Sequence, residues 1–259
     1  MTAFETLTFA QSGPITDIVL NRPDAANGMN DTLTRELAVA AALCDTKATK
    51  VVTITGAGRF FCAGGDLKAM AAARSPGAFV KGIADDLHRA LSTFARMDAV
   101  VITAVNGTAA GAGFSLAVTG DLVLSAESAK FTMAYTKAGL SPDGSSSYYL
   151  PRLIGIRRTQ QLMLTNRTLS AAEALDWGLL TEVVPDAELP ARAAALAQDM
   201  ATTSRTSNST VKKLLLDTYR TGLEEQMELE GRYIKDSAQS ADGQEGIAAF
   251  VAKRAPVFG

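Results

Sequence analysis

Twice along this chain an apolar, β-branched run ends in a turn of glycine, alanine and small polar residues, and then opens on a helical pattern. The first run, Val51–Thr55, reaches Gly56 and leads through Phe60-Phe61-Cys62-Ala63-Gly64-Gly65-Asp66-Leu67. The second, Val100–Val105, leads through Asn106-Gly107-Thr108-Ala109-Ala110-Gly111-Ala112-Gly113-Phe114. Short apolar runs bounded by turn signals read as strands buried on both faces, the kind found in parallel sheets covered by helices. Strand, turn and helix in alternation therefore set the fold class as α/β, with much parallel sheet.

The rest of the chain fits that frame. Phe4–Phe9 and Ile15–Leu20 read as two strands joined around Ser12-Gly13-Pro14. Asn30 or Asp31 can cap a helix whose Leu33, Leu37, Ala41 and Cys44 share one face. Phe79, Ile83, Leu87, Leu91 and Phe94 recur at helical spacing, and Leu122–Ser125 reads as another short strand. From about Ser145 the strand signal fades. Ser170 and Glu173 form a capping box for a helix that closes at Trp177-Gly178, and helical patterns run from Leu189 to Phe250. Such a tail suits packing on a neighbouring subunit.

With 259 residues, 47% of them hydrophobic, the chain can bury a core without disulfides or metals. A net charge of −2 with acids and bases interspersed gives no field favouring nucleic acid. Cys44 and Cys62 have no paired spacing, which predicts a reducing compartment. The start, MTAFETLTFA, lacks a basic n-region and an apolar h-region, so a cytoplasmic location is expected. Ala99–Val118 is apolar enough to resemble a membrane span. However, Asn106, Gly107, Thr108, Gly111 and Gly113 make it strand, turn and helix start, and no membrane association is expected.

Small residues at both turns let a ligand approach the backbone, and amides at a helix start are unsatisfied donors suited to an anionic oxygen. Two such donors converging on a carbonyl oxygen would form an oxyanion hole, although small residues serve tight strand–helix packing equally well. Other glycine-rich chemistry is excluded. There is no G-x-x-x-x-G-K-[ST] run, and Leu116 stands where G-x-G-x-x-G would need its last glycine. There is no G-x-S-x-G elbow, and Ser209-Thr210-Val211-Lys212 matches S-x-x-K without its companion motifs. One histidine, His88, and two separated cysteines leave almost nothing for a zinc site, so no metal is expected.

Taken in order, FCAGGDLKAM and NGTAAGAGFSLAVTGD resemble the two oxyanion segments of the crotonase superfamily, the enoyl-CoA hydratases and isomerases. The resemblance runs from NRPDAANGMN through LTNRTLSAAEALDWGLLTEVV to EGIAAFVAKRAPVF, nearly the whole chain. It implies a crotonase-like spiral of ββα units over residues 1–200 and a C-terminal helical trimerisation region over 201–259, in a homotrimer or homohexamer. It implies an acyl-CoA thioester substrate whose CoA is the handle, with no separate cofactor. The N–H groups of Ala63 and Ala112 would hold the thioester oxygen, with Gly64, Gly65, Asp66, Leu67 and Gly111 around them. Arg22, Lys68 and Lys253 are candidates for the CoA phosphates, Leu140 for the acyl pocket, and Phe250 for covering it or for packing in the core.

Hydratases of this family use two glutamates, and at those positions this sequence has Ser115 and Tyr135, so water addition is not expected. A carboxylate does appear at Asp143, in GLSPDGSSSYYLPRLIG, which resembles enoyl-CoA isomerases carrying one acid at this place. Burial beside Leu140, Pro142 and an acyl chain would suit it to shuttle a proton from the α-carbon of a 3-enoyl-CoA to the γ-carbon. Pro142-Asp143-Gly144 equally invites a cap for a helix near Ser145. A rival resemblance is to 4-chlorobenzoyl-CoA dehalogenases, in which an aspartate at the position of Asp143 is the nucleophile and a histidine at that of His88 the base. Gly65 and Leu87 stand where that branch carries pocket aromatics, and His88 also reads as a plain helix residue beside the Phe79–Ile83–Leu87 stripe. An atypical hydratase, with Tyr135 in the site, and a non-catalytic acyl-CoA-binding protein complete the alternatives.

Overall fold

The computed structural model describes residues 3–259. Its strands, in chain order, are β1 Leu7–Ser12, β2 Ile15–Leu20, β3 Val51–Gly56, β4 Phe60–Cys62, β5 Val100–Val105, β6 Thr108–Ala110, β7 Leu122–Ala126, β8 Lys130–Thr132, β9 Leu169–Ser170 and β10 Glu182–Val184. The helices are α1 Asp31–Cys44, α2 Leu67–Ala72, α3 Pro76–Arg96, α4 Ala112–Ala117, α5 Ser146–Thr165, α6 Ala171–Asp176, α7 Leu189–Ala201, α8 Arg205–Asp217, α9 Leu223–Gln239 and α10 Ala241–Val251.

The strands form two sheets, one of six in the order β1-β2-β3-β5-β7-β10 and one of four in the order β4-β6-β8-β9. Apart from the β1–β2 hairpin, the larger sheet is parallel throughout. Each of the pairs β3/β4, β5/β6 and β7/β8 places its first strand in the large sheet and its second in the small one, and the chain then passes to helix. That is the ββα spiral. The apolar runs are buried along their length, and every residue of β5 is inside because helices cover both faces. Helix α7 packs on one face through Leu189, Ala193 and Ala197. Helices α1 and α3 and the small sheet close a second core through Leu33, Leu37, Leu91, Phe94 and Phe131.

Three expectations shift. The first strand runs Leu7–Ser12, not Phe4–Phe9, because its register is fixed by pairing across the Gly13 turn, where Ser12 faces Ile15 and Leu7 faces Leu20. Both small-residue turns begin as short strands, β4 and β6, which pair in parallel. Strand structure also continues past Ser145 in β9 and β10, two and three residues long, too short for a two-residue period to show. Asn30 caps α1 on the Leu33 amide, and the Ser170–Glu173 capping box is complete. No helix among the described residues is long and apolar enough to cross a membrane.

Candidate active site

Backbone hydrogen bonding decides which amides of the two turns are free, since each N–H has one proton to donate. In the first turn the Ala63 N–H donates to the Ala26 carbonyl at 3.0 Å, so Ala63 is not the free donor that the motif suggested. The Gly64 N–H is directed at the Cys62 sulfur, 3.4 Å away. Gly65 sits in a parallel bridge with Met29, whose N–H and C=O bond the Gly64 carbonyl and the Asp66 amide. Parallel pairing of this kind turns the bridge residue's own N–H away from its partner. The Gly65 N–H accordingly has no protein acceptor among the described residues. In the second turn Ala112 opens α4, and its N–H is one of the orphan donors of a helix start. The two turns touch. A Cβ on Gly64 would lie 2.7 Å from the Ala110 carbonyl oxygen and 3.3 Å from the Ala112 nitrogen. Gly65 and Ala112 therefore present the free pair.

The first turn is held from the segment before it. Asn27, wholly buried and at a positive φ of 54°, donates its side-chain N–H to the carbonyls of Ala57 and Phe60 and accepts from the Arg22 amide. Sequence reasoning passed over it, although Asn27-Gly28 is a dipeptide suited to left-handed backbone. Burial pushes the Cys62 thiol up to about 12, so it stays protonated and donates to the Asn27 carbonyl. Arg22 pairs with Asp66 at 3.1 Å and donates to the Gly28 carbonyl. Asp66 also caps α2 on the Ala69 amide; burial opposes its ionisation, but that amide and Arg22 outweigh it and hold its carboxyl below the usual range. Arg22 and Asp66 thus tie the turn together.

Both turns open into a cavity of about 320 Å³ lined by Leu67, Ile83, Leu87, Leu140 and the backbone of Gly64, Gly65, Gly111 and Ala112. Asp143 is the sole carboxylate among its lining residues. Asp143 does not cap α5: the cap residue is Ser145, left-handed at φ 63°, and no side chain caps that end. Nor is the carboxylate buried, at 36% exposed; its Oδ1 meets His88 Nε2 at 2.7 Å. His88, on the exposed face of α3, therefore reaches the site through its contact with Asp143.

Ser115 and Tyr135 lie side by side, 3.2 Å apart between hydroxyls, as two positions sharing one site should. Both donate to the Asp143 carbonyl, Ser115 at 2.8 Å and Tyr135 at 3.2 Å, and Ser146 Oγ adds a third bond at 3.0 Å. Burial raises the Tyr135 phenol well above its usual range, so it is a neutral donor. At Gly144 (φ 62°) a Cβ would stand 2.8 Å from the Ser115 Cβ, so only glycine lets this loop seat on α4. The side chains at the two glutamate positions here clamp the loop that carries the aspartate.

Of the remaining expected contacts, Lys68 is exposed on α2 and does not itself line the cavity, although its neighbour Leu67 does. Phe250, 85% exposed on α10, is no core residue, and neither it nor Lys253 lines the cavity within one chain.

The comparisons with known proteins agree with this geometry. The model of the enoyl-CoA hydratase/isomerase family matches residues 10–259. The chain is 38% identical to a 1,2-epoxyphenylacetyl-CoA isomerase of Escherichia coli K12, over 97% of each chain. It is 34% identical to a carnitinyl-CoA dehydratase of Salmonella typhi, over 98% of each. A solved enoyl-CoA hydratase from Polaromonas sp. JS666 superposes with a TM-score of 0.92 at 29% identity, covering 98% of this chain and 99% of that one. With the ββα spiral, two facing turns of free amides and a match over nearly all its length, the chain belongs to the enoyl-CoA hydratase/isomerase family of the crotonase superfamily.

Proposed function

We propose that this acyl-CoA enzyme is an enoyl-CoA isomerase that moves a double bond by a proton shuttle at Asp143. The observation that carries the reading is the division of labour around that residue. Asp143 is the one carboxylate lining the cavity, and both positions where a hydratase needs a carboxylate are occupied by hydroxyls engaged with the Asp143 carbonyl. A thioester whose oxygen sits on the Gly65 and Ala112 N–H groups has an acidified α-proton. Asp143 removes it from a 3-enoyl-CoA, the dienolate oxygen is held by the two amides, and Asp143 returns the proton at the γ-carbon. Lys68, exposed next to the cavity-lining Leu67, is the cation we assign to the CoA phosphates. The exposed apolar residues of α8, α9 and α10, among them Leu215, Leu223, Ile234 and Phe250, form the contact with further copies in a homo-oligomer.

The test is Asp143→Asn on a 3-enoyl-CoA, followed by absorbance of the conjugated thioester and by mass spectrometry. Loss of the shuttle should lower kcat by roughly a thousandfold with the melting temperature little changed. Full activity in that variant, or no conversion of any 3-enoyl-CoA by the native protein, overturns the reading. One contact favours a second reading: a histidine 2.7 Å from the aspartate can activate water against an aryl ester formed on Asp143, as a 4-chlorobenzoyl-CoA dehalogenase requires. With Gly65 and Leu87 in its lining, the cavity has Tyr135 as its one aromatic lining residue, few ring-stacking walls for such a substrate, and chloride release from 4-chlorobenzoyl-CoA would decide for it.

A further inference from the structure

The Asp143–His88 pair separates two cavities. Asp143 lines the one that holds the free Gly65 and Ala112 amides, and His88 does not. His88 lines a second, open groove of about 500 Å³ with Ser92, Arg96, Ser145, Tyr148 and Arg220, and Asp143 does not. One ring nitrogen of His88 is engaged by the carboxylate at 2.7 Å, while Nδ1 takes no protein partner among the described residues and the side chain is 49% exposed. The carboxylate thus reaches the substrate cavity on one side and, through an imidazole, an open groove on the other.

We infer that His88 is a positioning residue that also relays protons between Asp143 and the outer groove, so that the proton taken from the substrate exchanges with solvent before it is returned. This rests on the acid–base role given to Asp143. In the step, the protonated carboxyl gives its proton to Nε2 of the neutral imidazole as Nδ1–H gives one to water. The ring is left with its proton on Nε2. The proton on Nε2 swaps one for one with a water proton while the contact to the half-exposed ring is open, and the reverse transfer, from water to Nδ1 and from Nε2 to the carboxylate, then restores the starting tautomer and leaves a solvent-derived proton on Asp143. No bond to carbon changes and nothing is oxidised. Imidazole is suited to this because its two nitrogens accept and donate at once.

His88→Gln tests the relay without removing the positioning contact, since a glutamine amide can still donate to the carboxylate but cannot pass a proton on. Wild type and variant are given a 3-enoyl-CoA dideuterated at the α-carbon, and deuterium at the product γ-carbon is read by mass spectrometry. The variant is expected to retain several times more deuterium per turnover than the native protein. A second measurement follows α-hydrogen exchange of a saturated acyl-CoA in deuterium oxide, which should slow about tenfold in the variant. Equal label retention in the two proteins overturns the relay and leaves the isomerase reading intact. Exchange that depends on His88 without isomerisation of any 3-enoyl-CoA supports the relay and removes the isomerase reading. Absence of both reactions, or exchange that is equal in the two proteins, overturns the relay.

Discussion

Replacing Gly64 by alanine should damage the candidate oxyanion site without touching any side chain in it. Gly64 has φ of 92°, and its hypothetical Cβ stands 2.7 Å from the Ala110 oxygen and 3.3 Å from the Ala112 nitrogen. Ordinary contact begins near 3.4 Å, so the two turns must part by about 0.7 Å to admit the methyl group. Both neighbours are backbone and cannot rotate away. A misplacement of that size at an oxyanion donor costs about a hundredfold in kcat, or about 2.7 kcal/mol at the transition state. The left-handed backbone adds roughly 2 kcal/mol of strain to the folded state, which lowers Tm by about 4–8 °C in a chain of this size. Isomerisation of a 3-enoyl-CoA, measured beside a thermal melt, reads both effects. Gly139→Ala is the control, because φ there is 69° but nothing lies within 4 Å of the added carbon. It should lose stability and keep its turnover. If Gly64→Ala folds and turns over within threefold of the native protein, the two turns do not form the oxyanion site.

Tyr135→Phe removes one of three donors to the Asp143 carbonyl and should cost about 1 kcal/mol of stability with less than a tenfold loss of kcat; a loss of a hundredfold or more would make the phenol a catalytic group. Lys212 is buried on α8 and bonds Asp121 at 2.7 Å and the carbonyls of Phe94 and Ala99, so Lys212→Met leaves a part-exposed carboxylate and two carbonyls without their partner. That should destabilise by about 3 kcal/mol, lowering Tm by roughly 6–12 °C, and a melt within a degree of the native one would show the pair to be neutral. Acid should unfold the protein partly through Glu36, where burial opposes ionisation but bonds from Glu5 and Thr6 outweigh it and lower its pKa on folding. A depressed carboxylate contributes its stability above its unfolded pKa of about 4.3 and loses it as pH falls through the folded value. In Glu36→Gln the fall of Tm below that pH should be shallower; an identical profile would refute the assignment.

The α/β class, the places of most helices and the two turns were legible in the chain because they rest on local terms. Runs such as Val100–Val105 have a length and composition that fit a buried strand, and Asn30 and the Ser170–Glu173 box announce their helices. The missing hydratase carboxylates could also be read, since Ser115 and Tyr135 are a matter of residue type. The choice of amide could not. Ala63 and Gly65 are two residues apart in one small-residue turn, and only the pairing of that turn with residues 26–29 shows that Ala63 donates to Ala26 while Gly65 is left free. Asp143 read equally well as a helix cap or an acid, and His88 as a helix surface residue or a partner, until folding set them 2.7 Å apart across 55 residues of chain. That Arg22 pairs with Asp66, 44 residues further along, is likewise visible only in the fold. Sequence determines what each residue can donate or accept; which group takes the offer depends on segments distant in the chain, and tertiary structure alone brings those together.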